Sequence, residues 1–182
     1  MLTLFRQHRE TVGMALMVVL AFLSFTLIQP GKENIADAYA VAVKPVPATD
    51  TATVVRGFSN QKAPTVVFIF ASWCPVCKRD FPQLRQLAAT YKDKGVNVVA
   101  FSVDRNKNDL TRYLGAQSPL SFTPYFVLQR FPGELQQGLR RAGIRYNGSI
   151  PYIALMGEDG KILGQGNYSV ASVEKALQNL LP

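Results

Sequence analysis

Apolar and charged residues are distributed unevenly along the 182-residue chain. From Thr11 to Ile28 the sequence reads TVGMALMVVLAFLSFTLI, without a charged side chain. A helix of that length rises about 27 Å, close to the hydrocarbon thickness of a bilayer. A helix wet on one face would break such a run with charges. Residues 29–50 are then rich in Ala, Pro, Lys and Asp and read as a linker, ending KPVPATD. TATVVRGF, 51–58, reads as an edge strand added at the linker's end.

From residue 59 onward, strand and helix patterns alternate. Thr65–Phe70, TVVFIF, is a continuous β-branched and aromatic run, the pattern of a strand buried on both faces. Pro75 to Tyr91 reads as a helix, with Cys77, Phe81, Leu84, Ala88 and Tyr91 on one face and Pro82 inside it. Val96–Val103 is the next strand, and a helix from Asp104 to about Leu114 follows, with Leu110 and Leu114 on one side. A short strand is expected over Tyr125–Gln129 and a short helix over Glu134–Ala142. YIALM (152–156) and KIL (161–163) flank Gly157-Glu158-Asp159-Gly160 as a hairpin. Ser169 is a good N-cap for a last helix that buries Val170, Val173, Leu177 and Leu180. The alternation indicates an α/β fold around a central mixed sheet.

Charge gives the apolar segment an orientation. Arg6 and Arg9 precede it, which favours a cytoplasmic N-terminus, 1–10, and places everything beyond Gln29 outside. Two readings stay open for 11–28. It is an uncleaved transmembrane anchor, or it is a signal peptide cut near Ala40, where Ala38-Tyr39-Ala40 has small-x-small character. Both export residues 59–182. Formal net charge is +8, but the basic residues are scattered and no nucleic-acid module signature is present, so no nucleic-acid partner is expected.

The chain has two cysteines, Cys74 and Cys77, directly behind its single tryptophan, Trp73. Cys74 falls between the buried strand and the helix, where free backbone N–H groups and the helix dipole favour a thiolate. Lys78 and Arg79 add positive charge within one turn. Cys77 lies one turn deeper, on the apolar face. That arrangement suits an attacking Cys74 and a resolving Cys77. A structural zinc takes four ligands; the only histidine, His8, precedes the apolar segment. A four-ligand Cys/His site within one chain is therefore excluded, and only a site shared between chains stays open. A disulfide across so short a loop contributes about 2 kcal/mol, little for a structural staple. An exported pair of idle thiols would not stay reduced. No metal, nicotinamide or flavin motif is present, and no cofactor is expected.

FASWCPVCKRDFP resembles the active-site segment of thioredoxin-fold proteins, most of all the membrane-anchored TlpA/ResA/DsbE-type thiol–disulfide oxidoreductases. The resemblance rests on Trp73 before Cys74, Lys78 after Cys77, acidic Asp80 and the helical Pro82. NVVAFSVDRNKNDLTRYL and the stretch from Thr123 to Gly166 resemble that group's second strand and helix, strand-helix insert, cis-proline loop and terminal hairpin. Together they cover about residues 60–182. The resemblance implies a thioredoxin-like fold, a redox pair Cys74-Pro75-Val76-Cys77, a cis Pro151 with Ile150 facing the disulfide, and Trp73 as a contact platform. Pro75, Val76 and Lys78 complete the surround. It implies protein thiols and disulfides as substrates, with a membrane-bound electron donor or acceptor, in a single-pass protein of a bacterial inner membrane whose domain faces the periplasm or cell exterior. A reductant role, as in cytochrome c maturation, is the leading expectation. A disulfide oxidase or isomerase, and a non-catalytic assembly module, are the alternatives. A peroxidase would need a different cysteine setting. One departure matters: APTVVFIFAS lacks the carboxylate that many thioredoxins carry before the motif. Asp80 is the acid next to the pair in sequence; the resemblance adds a central-region glutamate, for which Glu134 is considered but not assigned, and proton handling is left unassigned.

Overall fold

A computed structural model describes residues 41–181 of the chain. The apolar segment 11–28, the linker up to residue 40 and the Ala38-Tyr39-Ala40 site lie outside the described residues. Among the described residues, no helix is long and apolar enough to cross a membrane.

Six strands form one sheet: β1 Lys44–Pro47, β2 Thr65–Phe70, β3 Asn97–Ser102, β4 Tyr125–Leu128, β5 Tyr152–Met156 and β6 Ile162–Gly166. Their spatial order is β1-β4-β3-β2-β5-β6. The first four in that order run parallel, and β5 and β6 each pair antiparallel with their predecessor. β2 lies at the centre, with Phe68 opposite Ala100 on one side and Ile153 on the other. All six of its residues are buried, as the unbroken apolar run requires.

Five helices cover the two faces: α1 Thr51–Ser59, α2 Pro75–Tyr91, α3 Lys107–Gly115, α4 Glu134–Arg140 and α5 Val170–Leu180. Alternation along β2 divides the core. Val66, Phe68 and Phe70 pack with Phe81, Leu84 and Leu87 of α2, Leu110 and Leu114 of α3 and Leu177 of α5. Val67 and Ile69 face the other way, onto Val55 of α1 and Leu135 and Leu139 of α4. The result is a thioredoxin-like three-layer α/β fold. The helix over Pro75–Tyr91 agrees with its sequence reading at both ends. The hairpin is also found, although β6 continues to Gly166 rather than stopping at residue 163.

Four elements differ from expectation. TATVVRGF is not a strand; it belongs to helix α1, which buries Thr51, Ala52, Val55 and Ser59 at helical spacing. The edge strand lies earlier, at Lys44–Pro47, inside the stretch read as linker. It pairs parallel with β4 through Val46 and Val127. Pro45 and Pro47 are tolerated there because an edge strand has one side free of ladder bonds. The helix expected from Asp104 begins at Lys107, because the Asn106 side chain caps it by accepting from the Asn108 N–H. Leu180, expected in the core, is 43% exposed at the end of α5; Ser169 caps that helix as expected, accepting from the Ser172 N–H.

Candidate active site

Parallel strands carry their C-terminal ends to one edge of a sheet, where α/β proteins place their chemistry. At the end of β2 the chain makes a turn, closed by the Cys74 N–H donating to the Ala71 carbonyl at 3.1 Å. Helix α2 begins directly after it, with Cys74 as the N-cap and Pro75 at its first position. Proline suits that place, because its missing N–H would have had no intrahelical partner. The Cys74 side chain acts as the cap: its Sγ accepts from the Cys77 N–H at 3.2 Å.

The two thiols are both free and buried, with Cys74 at 5% and Cys77 at 1% exposure. Cys77 packs among Phe70, Phe81 and Leu84. Burial, and then its hydrogen bond with Cys74, pushes the Cys77 thiol up to about 12. The charge of Asp80 adds a smaller push in the same direction. Trp73 is 62% exposed and Val76 42%; Pro75 and Lys78 are exposed as well. The sulfurs are thus shielded, and the side chains flanking them face solvent.

The loop before β5 completes the surround. The Ile150–Pro151 bond is cis. The Ile150 carbonyl oxygen stands 3.9 Å from the Cys74 Sγ, within reach of a weak S–H bond. Ile150 is half-buried and Pro151 buried. The structure therefore brings Trp73, Cys74, Pro75, Val76, Cys77, Lys78 and the Ile150–Pro151 loop to one end of the sheet.

The two acids considered from sequence separate clearly. Asp80 does not face water: it is 5% exposed, on the same helix face as Cys77, with Arg79 Nε at 3.0 Å from its Oδ1. Glu134 is buried at the start of α4, a helix on the opposite face of the sheet. It accepts from the Arg130 backbone N–H at 2.7 Å and from Arg130 Nε at 3.4 Å.

Two residues beside the cysteines escaped the sequence reading. Asp104, just past β3, is 5% exposed and accepts from the Ser72 N–H at 2.9 Å and the Ser72 hydroxyl at 2.6 Å. Tyr113 of α3 sets its ring edge-on to Phe81, with centroids 5.5 Å apart. Its buried hydroxyl has no partner among the described residues. Burial and then the nearby Cys77, Cys74 and Asp104 charges push that phenol up to about 12. An acid directly after an apolar strand was the available signal for Asp104. Nothing local marks Tyr113, because its neighbours are distant in sequence.

A family model described as Redoxin matches residues 42–177. The chain belongs to the redoxin family. Its curated relatives include the thiol-disulfide oxidoreductase ResA of Bacillus cereus, 25% identical over 115 residues, which cover 62% of this chain and 61% of that protein. The thiol:disulfide interchange protein CycY of Rhizobium leguminosarum bv. viciae is 34% identical over 109 residues, 54% of this chain and 47% of CycY. These matches span less than two thirds of either relative's length. Among solved structures, a putative thiol:disulfide interchange protein DsbE from Chlorobium tepidum is similar at 29% identity, with a TM-score of 0.52 over 69% of this chain and 81% of that one. The redoxin match begins at residue 42, so it takes in β1 and α1 as well as the cysteine turn.

Proposed function

We propose that this redoxin-family chain is a thiol–disulfide oxidoreductase that exchanges with protein cysteines through Cys74 and Cys77, in the reducing direction. The carrying observation is the unlike placement of the two thiols. Cys74 caps α2 with an N–H aimed at its sulfur, whereas Cys77 is sealed in the core and held as the thiol. The names of the ResA and CycY relatives, a thiol-disulfide oxidoreductase and a thiol:disulfide interchange protein, support the exchange chemistry.

The chemistry runs in two displacements. The Cys74 thiolate attacks one sulfur of a partner's disulfide; a mixed disulfide forms and the partner's other sulfur leaves as a thiolate. Cys77 then gives up its proton and attacks the Cys74 Sγ. The Cys74–Cys77 disulfide forms, the partner leaves as a dithiol, and two electrons have passed to it. Asp80, buried on the face that carries Cys77, is the acid placed to accept the Cys77 proton. Trp73 and Val76 form the apolar rim that a partner polypeptide covers, and the Ile150 carbonyl bounds the approach to Cys74.

Each turnover leaves the pair oxidised, so a dithiol donor must reduce it again. The apolar segment 11–28 would tether the domain to a bacterial inner membrane, on its outer side, and raise its effective concentration for a membrane-bound donor. Cleavage near Ala40 would remove that advantage. Apocytochrome c cysteines awaiting haem attachment are one protein substrate of this class.

The deciding experiment is the equilibrium reduction potential of the pair in a glutathione redox buffer. A value near about −270 mV is expected of a reductant, and one near about −120 mV would reverse the direction to disulfide donation.

A further inference from the structure

A buried polar cluster adjoins the cysteine turn, and the two-step exchange makes no use of it. Ser72 and Trp73 are the central residues of the turn closed by the Cys74 N–H and the Ala71 carbonyl. Asp104 holds the first of them by both of its polar groups. Its Oδ2 accepts from the Ser72 N–H at 2.9 Å and its Oδ1 from the Ser72 hydroxyl at 2.6 Å. Ser102 fixes the carboxylate in turn. Its hydroxyl donates to Oδ2 at 2.7 Å and accepts from the Asp104 N–H at 3.1 Å. All three residues are under a tenth exposed. One residue away, the Val103 N–H donates to the Phe70 carbonyl at 2.8 Å, tying the end of β3 to the end of β2.

This arrangement is more than stability requires. A buried carboxylate is costly to desolvate, and among the described residues no lysine or arginine forms an ion pair with Asp104. An apolar contact would hold two loops together at lower cost. What the carboxylate adds is two acceptors in one fixed plane, which together dictate the orientation of Ser72. The next side chain, Trp73, points outward, and the one after it is the attacking sulfur.

We propose that Asp104 is a positioning residue for Cys74: acting through Ser72, it sets the turn that seats the Cys74 Sγ on the Cys77 N–H and beside the Ile150 carbonyl. This rests on the reading of Cys74 as the exchanging thiol. The clamp spans 32 residues of sequence, so it couples the end of β3 to the reactivity of the neighbouring strand's helix cap.

The test is the rate at which reduced full-length protein reacts with an aromatic disulfide that releases a coloured thiolate, at several pH values. Asp104→Asn, Ser72→Ala and the double variant are compared with Ser169→Ala, which removes a helix cap whose hydroxyl bonds within the first turn of α5 and not to the clamp, and so lowers stability alone. Asp104→Asn and Ser72→Ala should each slow Cys74 by about tenfold, since small misplacements of a reacting group are costly. The double variant should be no slower than either single one, because both act through one contact. Ser169→Ala should keep the wild-type rate. If Asp104→Asn does not fold, Ser72→Ala carries the test by itself. Wild-type rates in the folded clamp variants, or a loss in Ser169→Ala equal to theirs, overturn the clamp alone. Wild-type protein inert towards the disulfide overturns the exchange reading as well.

Discussion

The backbone N–H of Cys77 donates to the Sγ of Cys74 across 3.2 Å. One cysteine therefore uses its sulfur as a helix cap, and the other lends its backbone to that cap while its own sulfur goes into the core. Two thiols separated by only two residues are made chemically unequal.

That inequality has a consequence for pH. Burial holds Cys77 protonated up to about 12 in the folded protein, against about 9 for an ordinary thiol. The folded state thus keeps a proton that the unfolded chain releases. The resulting stability is fully present below about pH 9 and is lost as pH rises towards 12. One such group contributes at most about 1.4 kcal/mol per pH unit. Tyr113 and Tyr146, both pushed up to about 12, act in the same direction from about pH 10. In the disulfide form Cys77 does not titrate. Urea unfolding of the reduced and oxidised forms between neutral and alkaline pH should show the reduced form losing stability more steeply. Parallel losses would contradict the burial of a protonated Cys77.

Asp80 is buried one turn beyond Cys77, and its charge adds to the lift on that thiol. Asp80→Asn should therefore lower the pH at which Cys77 becomes alkylated, by less than burial raises it. Alkylation of the reduced variant followed by mass spectrometry reads the midpoint. An unchanged or higher midpoint would contradict the placement of Asp80.

Trp73 is mostly in solvent, so its removal should change stability by only about 0.5 kcal/mol. If its ring is a platform for partner polypeptides, Trp73→Ala should slow reduction of a protein disulfide several-fold. Its reaction with a small aromatic disulfide should keep the wild-type rate. Equal slowing on both substrates would assign Trp73 to the local geometry of the turn instead.

Gly138 tests the packing of the segment before β2. Helix α4 lies so close to the 3-10 turn at Ala48–Asp50 that a Cβ on Gly138 would collide with the Ala48 carbonyl oxygen and meet the Thr51 Oγ1 at 2.7 Å. The first obstacle is backbone and cannot rotate away. Gly138→Ala should cost about 1–3 kcal/mol or more, read from the urea midpoint. A neutral substitution would contradict the docking of residues 48–51 on α4.

The sequence is most readable where one pattern acts without competition. Thr65–Phe70 is apolar at every position, and Pro75–Tyr91 repeats its apolar residues at helical spacing behind a capping cysteine and a first-turn proline. Both elements are found at those bounds. The stretch before them is hard to read because its signals are short and mixed. In Lys44–Pro47 only Val46 is buried, two residues are prolines, and the pairing partner lies about eighty residues ahead. TATVVRGF is rich in β-branched residues that suggest a strand, yet packing against α4 makes it a helix. At the site, the cysteines, Trp73 and the Ile150–Pro151 loop are legible because a motif carries them. The Asp104–Ser72 clamp and the Tyr113 contact with Phe81 are not, because each joins residues 32 apart in sequence.

The most direct test of the exchange reading is trapping. Full-length Cys77→Ser, reduced and mixed with a disulfide-containing protein substrate, should accumulate an intermolecular disulfide that maps to Cys74, since no resolving thiol remains. Cys74→Ser should form none at neutral pH, its remaining thiol being buried and protonated. No adduct with Cys77→Ser, or an equally abundant adduct through Cys77 in Cys74→Ser, would contradict the assignment of Cys74 as the attacking sulfur.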